Sequence, residues 1–202
     1  MVLAFAYGRR YNTRPFVTVS TLRDASRAWV EVDLTNLLAN ARTVQRAARG
    51  APLLPMIKAG AYGLGAAPVA DALETLDPWG YGVATVEEGA QLRDAGIRRP
   101  IVVFTPAVSS LRDAFGRHGL RAVIDRPDVA LAWDAPYHVE IDTGMARCGV
   151  RWDATETLAR FASPYLEGAF THFYAADQGP QTVWQQWERF EQALAEIGRA
   201  HV

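Results

Sequence analysis

From Arg27 onward, short β-branched or aromatic runs alternate with stretches whose apolar residues recur at helical spacing, and no other feature constrains the fold as tightly. The strand-like runs are AWVEVD (Ala28–Asp33), LLPMIK (Leu53–Lys58), WGYGVAT (Trp79–Thr85), PIVVFT (Pro100–Thr105), LRAVID (Leu120–Asp125), YHVEID (Tyr137–Asp142) and LEGAFTH (Leu166–His172). After the first run the spacing predicts a helix with Leu37, Leu38, Ala41, Val44 and Ala48 on one face, stopped by Gly50. Further helices are predicted over Pro68–Leu76, Val86–Ala95, Ser110–Arg117, Asp128–Trp133 and Ala154–Phe161. The last, Thr182–Gly198, is predicted to carry Val183, Trp184, Trp187, Phe190, Leu194 and Ile197 on one side.

Strict alternation of this kind means parallel strands joined by helical crossovers, an α/β fold. About six βα units follow from the Lys58 strand onward, whereas a closed TIM-type (β/α)8 barrel needs eight in about 250 residues. The expectation is therefore an incomplete TIM-type barrel over 27–202, preceded by a loose N-terminal extension over 1–26. That extension carries Arg9, Arg10, Arg14 and Arg23 and no acid before Asp24, so an organelle transit peptide is its alternative reading.

Half of the 202 residues are apolar, enough for a sizeable core. The 21 basic and 22 acidic residues are scattered without blocks, which leaves no footprint for nucleic acid or an anionic membrane. No apolar run is long enough to span a bilayer. One cysteine, Cys148, cannot form an internal disulfide and fits a reducing, cytoplasmic setting.

In such folds ligands meet the carboxyl ends of the strands, where Lys58, Thr85, Thr105, Asp125, Asp142 and His172 fall. Lys58 ends an apolar run and is followed by small residues and one tyrosine, AGAYGLG. A desolvated amine there reads either as a nucleophile or base with room for a flat ring, or as a lysine reaching to the rim to pair with an acid. GLGAAP fails the dinucleotide fingerprint, because Pro68 takes the place of the third glycine; a turn with proline at the first helical position is the reading adopted. In YHVEIDTGMARCGV, Glu140 and Asp142 point away from Val139 and Ile141, and Arg147 is the nearest partner for an inward Glu140. That pair either fixes a guanidinium for a substrate carboxylate or phenolate, or is purely structural. Cys148 is expected as a small buried residue and not as a nucleophile. His172 alone reads as a hydrogen-bonded strand-end histidine or a proton carrier. No zinc spacing and no nucleophile elbow is visible.

AWVEVDLTNLLANAR, IKAGAYGLG, YGVATVEEGAQLRDAGIRRPIVV, VEIDTGMARCGV and FTHFYAADQ occur in the order and spacing of alanine racemases. The chain resembles that family from about Arg27 to its last residue. The lysine motif and DTGMxRxG together are specific to this group of pyridoxal-phosphate barrels. The resemblance implies pyridoxal 5'-phosphate as cofactor, with Lys58 as its Schiff-base lysine and the base on one face of the substrate α-carbon. It implies Tyr62 as a phosphate ligand, Arg147 beside the cofactor phenolic oxygen and the substrate carboxylate, and His172 behind a pyridine-facing arginine. The implied activity is interconversion of L- and D-alanine, supplying D-alanine for peptidoglycan, in a homodimer.

Two departures stand out. The family often has asparagine at Gly60, and a carbamylated lysine at Glu140, whose charge Glu140 would supply directly. The family's phosphate loops, pyridine-facing arginine and second catalytic tyrosine, from a C-terminal β domain of the partner subunit, are expected beyond Val202. Alternatives are a non-catalytic pyridoxal-phosphate barrel, another racemase or aldolase of this superfamily, or an inactive gene fragment.

Overall fold

A computed structural model describes residues 30–199, which fall into two compact units, one up to Tyr81 and the other from Gly82. The predicted extension 1–26 lies outside the described residues.

In the first unit Asp33 adopts an extended conformation and its carboxylate accepts from the backbone N–H of Thr35 (2.9 Å) and Asn36 (3.2 Å). This satisfies two orphan donors and starts helix α1, Leu34–Ala47. The strand predicted over Ala28–Asp33 is therefore not found in its described part. Residues 30–33 are irregular, because Asp33 caps a helix instead of ending a strand. No residue of α1 is fully buried, yet Leu37, Ala41 and Val44 line a cavity of about 300 Å³ with Leu53, Leu54, Met56, Ile57 and Tyr62. The strand predicted over Leu53–Lys58 shrinks to an isolated bridge at Met56. Pro52 and Pro55 have no N–H to give a ladder, which is reason enough. Helix α2 (Ala66–Leu73) begins two residues before Pro68 and runs into a 3-10 turn, Glu74–Leu76. Buried Tyr81 places its hydroxyl 2.9 Å from Ala70 O, tying β1 (Tyr81–Val83) to that helix.

The second unit repeats strand and helix in parallel. Helix α3 (Val86–Asp94) opens with a capping box: Thr85 Oγ1 accepts from Glu88 N, and Glu88 Oε2 accepts from Thr85 N and, at 2.7 Å, from Ala84 N. Thr85 is thus a cap and not a site residue. Strand β2 (Ile101–Pro106), helix α4 (Arg112–His118), strand β3 (Arg121–Ile124), helix α5 (Pro127–Leu131) and strand β4 (Tyr137–Asp142) follow. Strand β4 is the hub. It pairs in parallel with β3 (Val123 opposite His138) and with β6, Leu166–Phe170 (Val139 opposite Ala169). At its end it also pairs with β5 (Val150–Arg151), a two-residue strand the sequence reading did not anticipate.

Strands β2 to β4 are buried on both faces, with Ile101, Val103, Val123, Ile124, Val139 and Ile141 all in the core, as parallel strands covered by helices must be. Helix α6 (Thr155–Ala159) packs against α7 (Pro180–Arg199). In α7 the buried residues are Gln186, Phe190, Ala193 and Ile197, whereas Trp184 is 63% and Trp187 41% exposed. The predicted apolar side of this helix is corrected accordingly. The buried stripe starts at a glutamine, which a hydrophobicity pattern does not select.

Tyr137 is fully buried at the start of β4, and its hydroxyl donates to Phe161 O at 2.7 Å. Tyr137→Phe keeps the ring and leaves that buried carbonyl without its donor. Urea unfolding is expected to show a loss of about 1–3 kcal/mol, with the m-value unchanged.

Candidate active site

Lys58, half-buried, follows buried Ile57 and opens a turn of the rarer hand. Ala59 (φ 50°), Gly60 (φ 62°), Ala61 (φ 54°) and Tyr62 (φ 57°) are all left-handed, and Gly63 (φ 88°) closes the run. The turn is held by α-type bonds, Ala61 N donating to Ile57 O (2.8 Å) and Gly63 N to Ala59 O (3.0 Å). Left-handed conformation costs an L-residue about 1–2 kcal/mol, so the three non-glycines store about 3–6 kcal/mol. That is a large share of a total stability of about 5–15 kcal/mol. Strain on this scale persists where geometry is needed for function. Its result here is to place Lys58 and Tyr62 on one tight turn. A Cβ built on Gly60 would meet nothing within 4 Å, so the space beside the turn is open. Among the described residues no ion pair forms to Lys58 within its unit. The lysine is not at the tip of a regular strand, as the sequence predicted, but at the start of this turn.

Arg147, Glu140 and His172 belong to the second unit. Glu140 is 5% exposed on β4, and its Oε2 accepts from Cys148 Sγ at 3.1 Å. The expected Glu140–Arg147 ion pair is not formed. The thiol takes the carboxylate, and Arg147 is exposed. Burial, then the hydrogen bond to Glu140, pushes the Cys148 thiol up, while nearby Arg147 acts in the opposite sense. Cys148 is thus a half-buried donor and not the inert apolar residue expected. Gly149 (φ 98°) is required here, because a Cβ would stand 2.9 Å from Glu140 O and 3.0 Å from Asp142 N. Asp142 shapes the loop, its Oδ1 accepting from Gly144 N and Ala146 N, both at 3.0 Å.

Arg147 lines an open cavity of about 620 Å³ with Asp142, Arg151, Trp152, Asp153 and Arg189. Arg151 is neutralised by Asp153 (Nε to Oδ1, 2.9 Å), and Arg189 donates to Thr143 O (2.7 Å) with its guanidinium 5.4 Å from the Trp152 ring centroid. Arg147 forms no ion pair among the described residues, and its interaction there is with the Cys148 sulfur. His172 is exposed; its carbonyl accepts from Gln186 Nε2 at 3.0 Å. Sequence reasoning missed Thr143, Thr171, Gln186 and Arg189, which knit these strand ends together. A glutamine on the inner side of an amphipathic helix was the available signal.

Parallel βα repeats with the chemistry-bearing side chains after the strands define the class: an α/β protein of TIM-barrel type. The family described as "Alanine racemase, N-terminal domain" matches residues 32–202, and the chain belongs to it. Alanine racemase of Symbiobacterium thermophilum is 37% identical over 189 residues, 86% of this chain and 50% of that protein. That of Carboxydothermus hydrogenoformans is 35% identical, over 84% and 50%. Among solved structures, alanine racemase from Bacillus anthracis with bound L-Ala-P superposes with a TM-score of 0.77 at 26% identity, covering 86% of this chain and 49% of that one. Histidine racemase of Leuconostoc mesenteroides, TM-score 0.70 at 19% identity, shares the fold. The chain spans about half the length of the curated relatives it matches. The fold is accordingly a partial barrel relative to those structures.

Two substitutions test these geometries. Gly60→Asn is expected to leave stability within about 0.5 kcal/mol, because asparagine tolerates left-handed φ, while Gly60→Val is expected to lose more than about 1 kcal/mol in urea unfolding. Glu140→Gln removes the negative charge that opposes thiolate formation. The midpoint of Cys148 alkylation against pH is expected to move to lower pH, and an unmoved midpoint would mean that burial alone raises the thiol.

Proposed function

We propose that this chain is the cofactor-lysine portion of an alanine racemase, acting on L- and D-alanine with pyridoxal 5'-phosphate and supplying D-alanine to peptidoglycan synthesis. The observation that carries the reading is the left-handed turn after Lys58. An amine and a phenol on one strained turn, beside open space, fit an aldehyde cofactor with a phosphate tail. Bound at Lys58, pyridoxal phosphate supplies an electron sink that acidifies the α-hydrogen of an amino acid.

The residues of the chain then divide the work. Lys58 Nζ would hold the cofactor, and the same amine would take or return a proton at the substrate Cα on one face. Tyr62 Oη donates to the phosphate. Arg147 offers a guanidinium to the substrate carboxylate and the cofactor phenolate, a match of planar fork to planar anion. Glu140 supplies the negative charge at the base of the Arg147 loop, and His172 supports the groups facing the pyridine ring. Inversion needs an acid–base group on the opposite face as well. The reading takes that group from a partner subunit, as the resemblance implies, with a homodimer as the proposed acting form.

The test is cofactor attachment to the chain. Incubation with pyridoxal phosphate, borohydride reduction and peptide mapping are expected to place one adduct on Lys58. Lys58→Arg is expected to abolish it. Tyr62→Phe is expected to weaken cofactor affinity about 10–100-fold, the worth of one hydrogen bond to a charged group. Folded protein without an adduct on Lys58 would overturn the reading.

A further inference from the structure

Gln186 is 1% exposed, and both its amide nitrogen and its amide oxygen are hydrogen-bonded. Nε2 donates to Thr143 Oγ1 (2.9 Å) and to His172 O (3.0 Å), and Oε1 accepts from Tyr174 N (3.3 Å). Thr171 Oγ1 donates to Ile141 O (2.8 Å), which commits its only proton. The 2.7 Å contact between Thr143 and Thr171 therefore has Thr143 as donor. The protons run one way, from Gln186 through Thr143 and Thr171 to Ile141 O, and no hydroxyl in the chain has a second orientation. One helical turn further, Arg189 donates to Thr143 O. Gly144 lets this happen, since a Cβ there would lie 3.1 Å from the Arg189 guanidinium. Helix α7 thus grips Thr143 by side chain and by backbone, four residues before Arg147.

We propose that Gln186 is a positioning residue, which through Thr143 sets the loop from Asp142 to Gly149 and so the placement of Arg147 and of the Cys148–Glu140 contact. The functional meaning of that placement rests on the racemase reading, but the latch itself does not. The same glutamine holds the carbonyl of His172, so one side chain on α7 sets the segments after both β4 and β6. A buried amide with every bond satisfied is a rigid spacer. An apolar residue in its place takes the donor from Thr143 Oγ1, which keeps its bond to Thr171, and leaves His172 O and Tyr174 N without this partner.

Cys148 is the chain's single cysteine, so thiol alkylation reports this loop alone. On the unmodified chain, without cofactor, the alkylation rate is followed from pH 6 to 10, and then on Gln186→Leu, Thr143→Val and Thr143→Ser. Far-UV circular dichroism and a cooperative urea transition confirm the fold of each. Release of the loop frees the thiol from Glu140 and from burial. Gln186→Leu and Thr143→Val are expected to alkylate about tenfold faster at pH 8, with the midpoint moved down in pH. Thr143→Ser keeps the hydroxyl and is expected to match the parent.

Folded Gln186→Leu and Thr143→Val with the parent rate and midpoint would overturn the proposal. So would a Thr143→Ser rate equal to that of Thr143→Val, which would assign the effect to lost methyl packing. If neither variant folds, hydrogen exchange on the unaltered chain decides. The amides of Gly144 and Ala146 are expected to open together with those of α7 around Gln186. Loop exchange about a hundredfold faster than that of the helix would overturn the latch. Since alkylation needs no cofactor, an absent Lys58 adduct would sink the racemase reading and leave this result standing.

Discussion

A carboxylate buried in the middle of a parallel strand is the constraint around which the second unit is organised. Glu140 lies on β4, the strand paired to β3, β5 and β6, with almost no access to solvent. Leaving such a group unpartnered would cost several kcal/mol, so the chain must return a donor to it. The donor is Cys148, eight residues on. The return path fixes the rest: Asp142 turns the chain by accepting two amides, and Gly149 passes where a side chain would strike the Glu140 backbone. Arg147 is left exposed at the edge of this return, with no ion pair among the described residues, which is compatible with the proposed role.

The first unit solves a different problem by a different means. An amine can be aimed by packing or by backbone, and here it is the backbone. Four consecutive left-handed residues, followed by Gly63 also at positive φ, turn the chain so tightly that Lys58 and Tyr62 share one turn. Glycine at position 60 carries one of the four without a Cβ penalty, and the alanines flanking it keep crowding low. The small residues after the lysine therefore serve the turn itself as well as the space beside it.

Much of this was legible in the sequence, and unevenly so. Strands β2, β3 and β4 were plain because β-branched residues buried on both faces leave few readings, whereas β6, with no β-branched residue, was placed by its position in the alternation. Lys58 and Glu140 stood out as polar groups within apolar runs, Tyr62 as the one large side chain among small residues, Arg147 as the nearest cation to Glu140, and His172 as the end of a strand-like run. Three things were hidden. The hand of the turn after Lys58 leaves no residue signature beyond small size and glycine. The strand before it was overread because Pro52 and Pro55 break a ladder that the apolar run suggests. The pairing of Glu140 with Cys148 was missed because charge complementarity pointed to Arg147, and a thiol is rarely counted as the donor a carboxylate takes.

The hidden layer in α7 has the same origin. Apolar periodicity assigns Trp184 and Trp187 to the interior of that helix, yet both are exposed and Gln186 between them is buried. Burying a glutamine is unfavourable unless its amide nitrogen and oxygen find partners, and one threonine hydroxyl plus two backbone groups supply them. Hydrophobic packing fills space but tolerates sliding, whereas a one-way chain of hydrogen bonds allows a single register between helix and strand end. The strand ends that carry Arg147 and His172 are where such a register matters, and a greasy contact in place of Gln186 would hold α7 to the sheet without holding either residue in place.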